Sequence, residues 1–406
     1  MLHRFKNLAQ NFPRQFLYLV AGMLVSTMGV SMIWPFLTIY LRQRLGVPLS
    51  TATALLTLDS IMSILSSFVA GPVADRFGRK GVMALSLGMM GINYAIMSQA
   101  ATLPVFAILM GLRGAFVPLY RIGADAMIAD LIPTEKRADA YALLRMMNNA
   151  GFAIGPTVGG FITAGSYTTA FLIAAGGMIV FSLFVSVAMV ETLPPEAKTA
   201  SSIPEKAGGY GRIFKDRFYL SFVGATTMTG MASSLVFVLL FVYTKENFGI
   251  SESRSGFLMA INALMVVFLQ VLIVQQTKHR PPLLVLAAGA LLYALGVGSI
   301  SLGKSLTAFA ASMVVVTLGE LIVVPTSTSL AASLAPVDMR GRYMSIYWLA
   351  WSISHGLGPV IGGLLNDHIA PQAIWIGGFG WGLLSMSVFL ALARRIHIRQ
   401  KSIQTV

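Results

Sequence analysis

The chain has 406 residues, 56% hydrophobic and 11% charged, with a net charge of +14 and no cysteine, and its mean hydropathy is +0.76. Soluble domains carry about 25% charged residues, so lipid is the expected main solvent, and the lack of cysteine excludes disulfides, thiolate metal sites and a thiol nucleophile. The bases lie between apolar runs, so the positive balance fits membrane topology and not nucleic acid.

Met1–Gln15 holds Arg4, Lys6 and Arg14 ahead of the apolar run Phe16–Tyr40. That run is too long for the core of a signal peptide and reads as an uncleaved first membrane helix. Apolar segments then follow at about 16–41, 49–70, 81–99, 104–130, 140–165, 169–190, 218–243, 254–276, 283–302, 307–334, 342–364 and 373–393. Each approaches the roughly 20 residues that cross a bilayer as a helix. Twelve spans place both termini on one side, and 21 of the 29 Lys and Arg fall on that side, which makes the termini cytoplasmic.

Between the second and third segments lies Gly71-Pro72-Val73-Ala74-Asp75-Arg76-Phe77-Gly78-Arg79-Lys80. It reads as a turn in which Gly78 takes a positive φ. Arg76, Arg79 and Lys80 hold it on the cytoplasmic side. Asp75, an acid among bases, suits the free N–H groups at a neighbouring helix N-terminus, and Gly341–Met344 in the eleventh segment is the expected partner. A plain positive-inside loop explains the bases but neither the acid nor the glycines. The stretch resembles the signature loop of the major facilitator superfamily, G-x-[LV]-[AS]-D-[RK]-x-G-[RK]-[RK], with every specified position filled.

The polar stretch Glu191–Arg217, with Pro194, Pro195 and Gly208–Gly209, has linker composition. It divides the chain into residues 1–190, a cytoplasmic linker at 191–217, and residues 218–406. The halves are repeats at an offset of 203 residues without gaps. Tyr40…Gly46…Ser50 matches Tyr243…Gly249…Ser253, Leu131-Ile-Pro133 matches Leu334-Ala-Pro336, and Gly155-Pro156-Thr-Val-Gly159-Gly160 matches Gly358-Pro359-Val-Ile-Gly362-Gly363. The expected fold is an all-α membrane protein of twelve transmembrane helices in two pseudo-symmetric six-helix bundles, the build of that superfamily. The resemblance covers essentially the whole chain. In the second half the signature loop is degenerate: Val274–Leu283 lacks the glycines, and Lys278 stands where Asp75 falls.

Gly151, Gly155 and Gly159 lie four apart on the fifth segment and form a small-residue face for close helix packing; Pro156 removes a backbone hydrogen bond there. With Gly160 they also resemble the fifth-helix motif of drug/proton antiporters, and Gly358, Pro359 and Gly362 keep the small face in the repeat. The end of the first segment, Trp34-Pro35-Phe36-Leu37-Thr38-Ile39-Tyr40-Leu41, resembles the same group. So does Arg113 midway along the fourth, where that family's Arg is linked to proton coupling, although Val117-Pro118 replaces the usual glycines.

Ionisable groups inside membrane helices cost several kcal/mol and face a cavity or a partner. Here they are Asp59, Asp125, Glu320, Arg113, Arg121, Arg145 and His355. Asp59 and Arg113 each lie roughly 15 Å from the outer ends of their helices and are placed to pair. Asp59 reads equally as a proton site and as a structural partner. Arg121, Asp125 and Arg145 read as a structural ion-pair cluster. Glu320, in Thr317-Leu318-Gly319-Glu320, has no basic partner in sequence and reads as a proton or cation site. Asp130 is placed to meet Arg79 or Arg76 and hold a cytoplasmic gate. Trp348, Trp351 and His355 are candidates for a substrate cavity.

No spacing suggests a metal site, a hydrolase triad or a phosphate-binding loop. The expectation is a monomeric, multi-pass protein of the inner cell membrane. It exchanges protons for small amphiphilic, cationic drug-like compounds by alternating access, with the proton gradient as energy source and no cofactor. Alternatives are a specific exporter or flippase of a sugar, lipid or metabolite, and a non-transporting receptor or scaffold.

Overall fold

The structure, a computed structural model, describes residues 12–193, 210–336 and 339–404. Among the described residues it is built of helices only: α1 Arg14–Leu45, α2 Leu49–Phe77, α3 Arg79–Met97, α4 Leu103–Leu131, α5 Thr134–Gly165, α6 Tyr167–Ala188, α7 Tyr210–Lys215, α8 Arg217–Phe248, α9 Glu252–Thr277, α10 Pro282–Ile300, α11 Leu306–Leu334, α12 Arg340–His368 and α13 Ala373–Gln404. Nine of these are long and apolar enough to cross a membrane. The long helices outside that nine are α3, α5 and α12. Their first turns carry Arg79 and Lys80, Lys136 and Arg137, and Arg340 and Arg342.

The repeat governs where helices start and stop. α1 and α8 begin and end 203 residues apart, as do α3 and α10, and α4 and α11. The stops have one physical cause. Gly46 and Gly249 both sit at φ 64°, and their N–H groups close the last turns onto Arg42 and Lys245. Only glycine takes that left-handed conformation without a Cβ clash. Packing repeats too: α1 lies on α5 and α8 on α12, while α3 lies on α4 and α6 as α10 lies on α11 and α13.

Gly71–Lys80, expected as a turn, is mostly helix. α2 continues to Phe77, and Gly78 N–H still donates to Ala74 at 3.1 Å. Gly78 alone leaves the helix, at φ 89° and ψ 148°, a region of backbone space that is essentially glycine's. The 191–217 stretch, expected as linker, contains the short helix α7, and residues 194–209 lie outside the described residues.

The chain forms two compact units. The first runs to Gly46 and resumes from Leu58 through α6. The second takes Val47–Thr57 and everything from α7 onward. The first turns of α2 therefore belong with α8–α13. In the first unit Phe16, Leu19, Met83, Leu87, Ala124, Met127, Ile128 and Val185 form one buried cluster from α1, α3, α4 and α6. Lipid removes the hydrophobic drive between helices, so such contacts act through close packing.

Candidate functional site

In the first unit Arg113 of α4 pairs with Asp59 of α2 at 2.6 Å. Both are buried, at 4% and 6% exposure. The guanidinium stacks 4.4 Å over the Trp34 ring of α1, and buried Tyr94 of α3 lies against it. Four helices thus meet on one charge. Taking two ions out of water is costly unless geometry and further contacts are good. The ion pair, the aromatic face and the tyrosine supply those contacts.

In the second unit Asn262 of α9 donates to Glu320 of α11 at 2.7 Å and to Thr317 at 3.1 Å. Tyr293 of α10 is close enough to act on the Glu320 charge, and its hydroxyl donates to Ser233 of α8 at 3.4 Å. Asn262 is the repeat of Asp59, while Glu320 and Tyr293 are each one turn removed from the repeats of Arg113 and Tyr94. α10 and α11 run antiparallel, so the two displacements move the cluster in one direction. Each unit thus carries a polar centre on its second, third and fourth long helices. One centre is a neutralised ion pair. The other is a carboxyl held by an amide, with a tyrosine nearby.

At the end of α2, Arg79 pairs with Asp130 of α4 at 2.7 Å. Thr192 donates to the same Asp130 oxygen at 2.8 Å. Glu191, past the end of α6, accepts the Arg79 and Lys80 N–H groups at 3.0 and 3.1 Å. It thereby caps α3 with a full negative charge where the free N–H groups favour one. Arg76 lies over the Phe77 ring. The side chains of Gly71, Asp75 and Gly341 lie outside the described residues, and with them the expected docking of Asp75 on the eleventh segment.

The glycine face of α5 packs against α1. A Cβ at Gly151 lies 2.7 Å from Thr27 Cβ, and one at Gly155 or Gly159 collides with Ser31 or Met32. Ser31 donates to the Gly151 carbonyl at 2.9 Å, and 203 residues on Ser234 donates to the Ser354 carbonyl at 3.0 Å. Gly358 and Gly362 press on Ser234 and Leu235 in the same way. Pro156 and Pro359 are both inside their helices. Among the described residues Asp125 makes no direct ion pair with Arg121 or Arg145, and both bases are exposed, but Arg121 is near enough for its charge to act on Asp125. Trp348 is 52% exposed. His355 Nδ1 is 2.9 Å from the Trp351 carbonyl one turn back, with the two rings tilted.

A further contact lies at the other end of α2. Asp367, near the end of α12, accepts the N–H groups of Leu49 and Ser50 at 3.3 and 2.8 Å. A Cβ at Gly363 lies 2.8 Å from Ser50 Cα, and Thr57 donates to the Gly356 carbonyl at 2.6 Å. Burial works against the charge of Asp367, but the hydrogen bonds from Ser50, Asn366 and Leu49 outweigh it and hold the carboxyl below its ordinary range.

The family model for the Major Facilitator Superfamily matches residues 19–359. The chain belongs to this superfamily. Superfamily relatives are transporters, and this chain is a transporter and not an enzyme. It is 27% identical over 396 residues to a Na(+), Li(+), K(+)/H(+) antiporter of Planococcus maritimus, covering 90% of this chain and 91% of that one. It is 28% identical over 398 residues to the multidrug resistance protein MdtH of Citrobacter koseri, covering 95% and 94%. A crystal structure of a POT family transporter in complex with a thioalcohol-conjugated peptide shares the fold, with a TM-score of 0.78 at 17% identity over 95% of this chain and 97% of that one.

Sequence reasoning about this superfamily member missed Glu191, Asp367, Tyr94 and the meeting of Asn262 with Glu320. For Asn262 the signal was present. The 203-residue offset puts it on Asp59, whose partner is on the helix equivalent to that of Glu320. Glu191 and Asp367 act on helix ends through backbone N–H groups, and such pairing leaves no trace in residue spacing.

Proposed function

We propose that the protein is a proton-coupled exporter of lipophilic, cationic compounds working by alternating access. The observation that carries the proposal is Glu320. It is a half-buried carboxyl midway along α11 that accepts a hydrogen bond from the Asn262 amide and pairs with no base among the described residues. Such a group can exchange between a proton and a cation. In this reading the Asp59–Arg113 pair organises the first unit, and the Arg79–Asp130 and Glu191 contacts steady the cytoplasmic end. Twelve spans, cytoplasmic termini, residence in the inner membrane and a monomeric state belong to the same proposal. The multidrug name of one relative supports it.

A second reading is exchange of inorganic monovalent cations for protons. It is favoured by the antiporter name of another relative and by the oxygen donors of Thr317 and Asn262 beside Glu320. One experiment separates the two: efflux from vesicles under an imposed pH gradient, for wild type and Glu320→Gln. Gradient-driven movement of a lipophilic cationic dye, lost in the variant, supports drug export. Gradient dissipation by Na+, Li+ or K+ without dye movement supports the second reading. Dye efflux retained in the variant moves the proton site to Asp59 or Asp125. If neither dye nor cation moves, a narrow-specificity exporter takes precedence.

A further inference from the structure

The contacts that fasten the turn between α2 and α3 have no counterpart between α9 and α10. Counted 203 residues on, Asp130 becomes Ser333, Arg79 becomes Pro282 and Glu191 becomes Arg394. Both carboxylates of the first half are lost. Asp75 and Phe77 become Lys278 and Arg280, so charge of the opposite sign is added.

A cavity of about 220 Å³ opens at this place. Its polar lining is Lys278 and Arg280 with the hydroxyls of Thr277, Thr326, Ser329 and Ser333, and among the described residues no acidic side chain lines it. Thr277 and Ser333 donate their hydroxyl protons to their own helices, at 2.8 and 2.9 Å, so the donors the lining offers an anion are Lys278 and Arg280 with the Thr326 and Ser329 hydroxyls. Two bases beside hydroxyl donors are the chemistry that holds a phosphate. In the first half the protein supplies the anion itself, as Asp130 and Glu191. In the second half the described lining supplies cations and no acid.

The surroundings select the source of the anion. The candidate span in α9 is only 11% buried. Along it Val267 and Val271, 61% and 63% exposed, continue through Val274, which lines the cavity, to Lys278. Spacings of four, three and four keep these residues on one helix face. An apolar strip therefore ends at a basic pocket, at the end of the helix that positive-inside topology places on the cytoplasmic side. Anionic lipid headgroups concentrate there.

We propose that this cavity holds the phosphate of an anionic phospholipid, with an acyl chain lying along the Val267–Val271–Val274 strip of α9. The proposal needs only a membrane protein and is independent of what is exported.

The test uses the full-length protein, stripped of lipid in detergent and titrated with phosphatidylglycerol, with bound lipid counted by native mass spectrometry. Lys278→Gln with Arg280→Gln is expected to weaken binding roughly 30-fold, from the loss of two bases near the surface. Ser333→Asp, which restores the first-half acid and removes no base, is expected to weaken it as well. Phosphatidylcholine is expected to bind weakly and equally to all forms, and inorganic phosphate in excess to leave phosphatidylglycerol in place. Equal phosphatidylglycerol binding by wild type and both variants overturns the proposal. So does phosphatidylcholine bound as tightly as phosphatidylglycerol. Displacement by inorganic phosphate overturns the lipid and leaves a free-anion site. If the double variant does not fold, Ser333→Asp decides alone.

Discussion

Asn262 donates to Glu320 at 2.7 Å across α9 and α11, and Asn262 occupies the place in the repeat that Asp59 holds in the other half. The same helix pair thus carries an ion pair in one unit and an amide–carboxyl contact in the other. A neutral amide steadies the carboxyl without cancelling its charge, which in the proposed mechanism leaves Glu320 free to take a proton or a cation. Asn262→Leu removes that donor. A hydrogen bond to a charged group contributes about 1.5–3 kcal/mol, so gradient-driven efflux is expected to fall roughly tenfold or more with little change in thermal stability. Efflux at the wild-type rate removes Asn262 from the site.

The Asp59–Arg113 pair makes a contrasting prediction. Its charges are paired with each other and lie against Trp34 and Tyr94, while Asp59 Oδ1 and Arg113 Nε are buried with no hydrogen-bond partner among the described residues. Breaking a buried pair by removing one partner costs about 3–5 kcal/mol, whereas replacing both partners is much milder. Asp59→Asn and Arg113→Gln alone should each sharply lower the unfolding temperature in detergent, and the double variant should recover part of the loss. If the double variant is stable but does not move protons, Asp59 has a transport role. If it still transports, the pair is structural.

How much of this was legible in the sequence follows from which interactions are local. Helix bounds repeat at 203 residues because Gly46 and Gly249 stop α1 and α8 in the same conformation, and a cap is written in adjacent residues. The closeness of α5 to α1 was foreshadowed by Gly151, Gly155 and Gly159, though not which helix they would meet. The signature stretch was expected as a turn with Gly78 at positive φ, and Gly78 does make the break at φ 89°, yet the residues before it stay helical and α2 carries on to Phe77. Two contacts between distant elements were legible, because charges inside apolar helices need partners: Asp59 was expected to meet Arg113 from their matching depth, and Asp130 to meet Arg79, and both pairs form. The aromatic partners were opaque, since Trp34 and Tyr94 come from helices whose hydropathy says only that each is apolar. Asp125 and Arg121 are near enough for the Arg121 charge to act on the carboxyl, but among the described residues no direct ion pair joins them, since i, i+4 spacing permits a contact without enforcing it.

At the turn between α2 and α3, magnitudes rank three substitutions. The Arg79–Asp130 pair is partly exposed, at 13% and 25%, and such pairs contribute about 0.2–1 kcal/mol. Loss of a helix cap costs about 0.5–2 kcal/mol. A residue with a side chain forced into the glycine region costs about 1–3 kcal/mol, and at Gly78 its Cβ also strikes the Glu191 carboxylate. Destabilisation should therefore increase from Asp130→Asn to Glu191→Ala to Gly78→Ala. Amide exchange in the first turn of α3 should speed up most in the last two. Equal exchange in Glu191→Ala and wild type would remove Glu191 as the cap.

The Asp367 cap fastens the first turns of α2, residues that belong to the second unit while the rest of α2 belongs to the first. Its carboxyl is held below the ordinary range by Ser50, Asn366 and Leu49. A depressed folded value means that the stabilisation is fully present above the unfolded value, about pH 4, and is lost as pH falls through the folded value. The contact should therefore be indifferent to pH across the range where transport is measured, and any pH dependence of transport there must come from another group. A Cβ at Gly363 would come 2.8 Å from Ser50 Cα, closer than a side chain can sit against backbone, so Gly363→Ala should prise the first turn of α2 off α12. If this contact closes during alternating access, Gly363→Ala and Asp367→Asn should both slow transport and both speed amide exchange at Leu49 and Ser50. Transport at the wild-type rate with faster exchange in both variants would mean that the contact has no part in the cycle, and the moving contact would have to be sought at the Gly78 end.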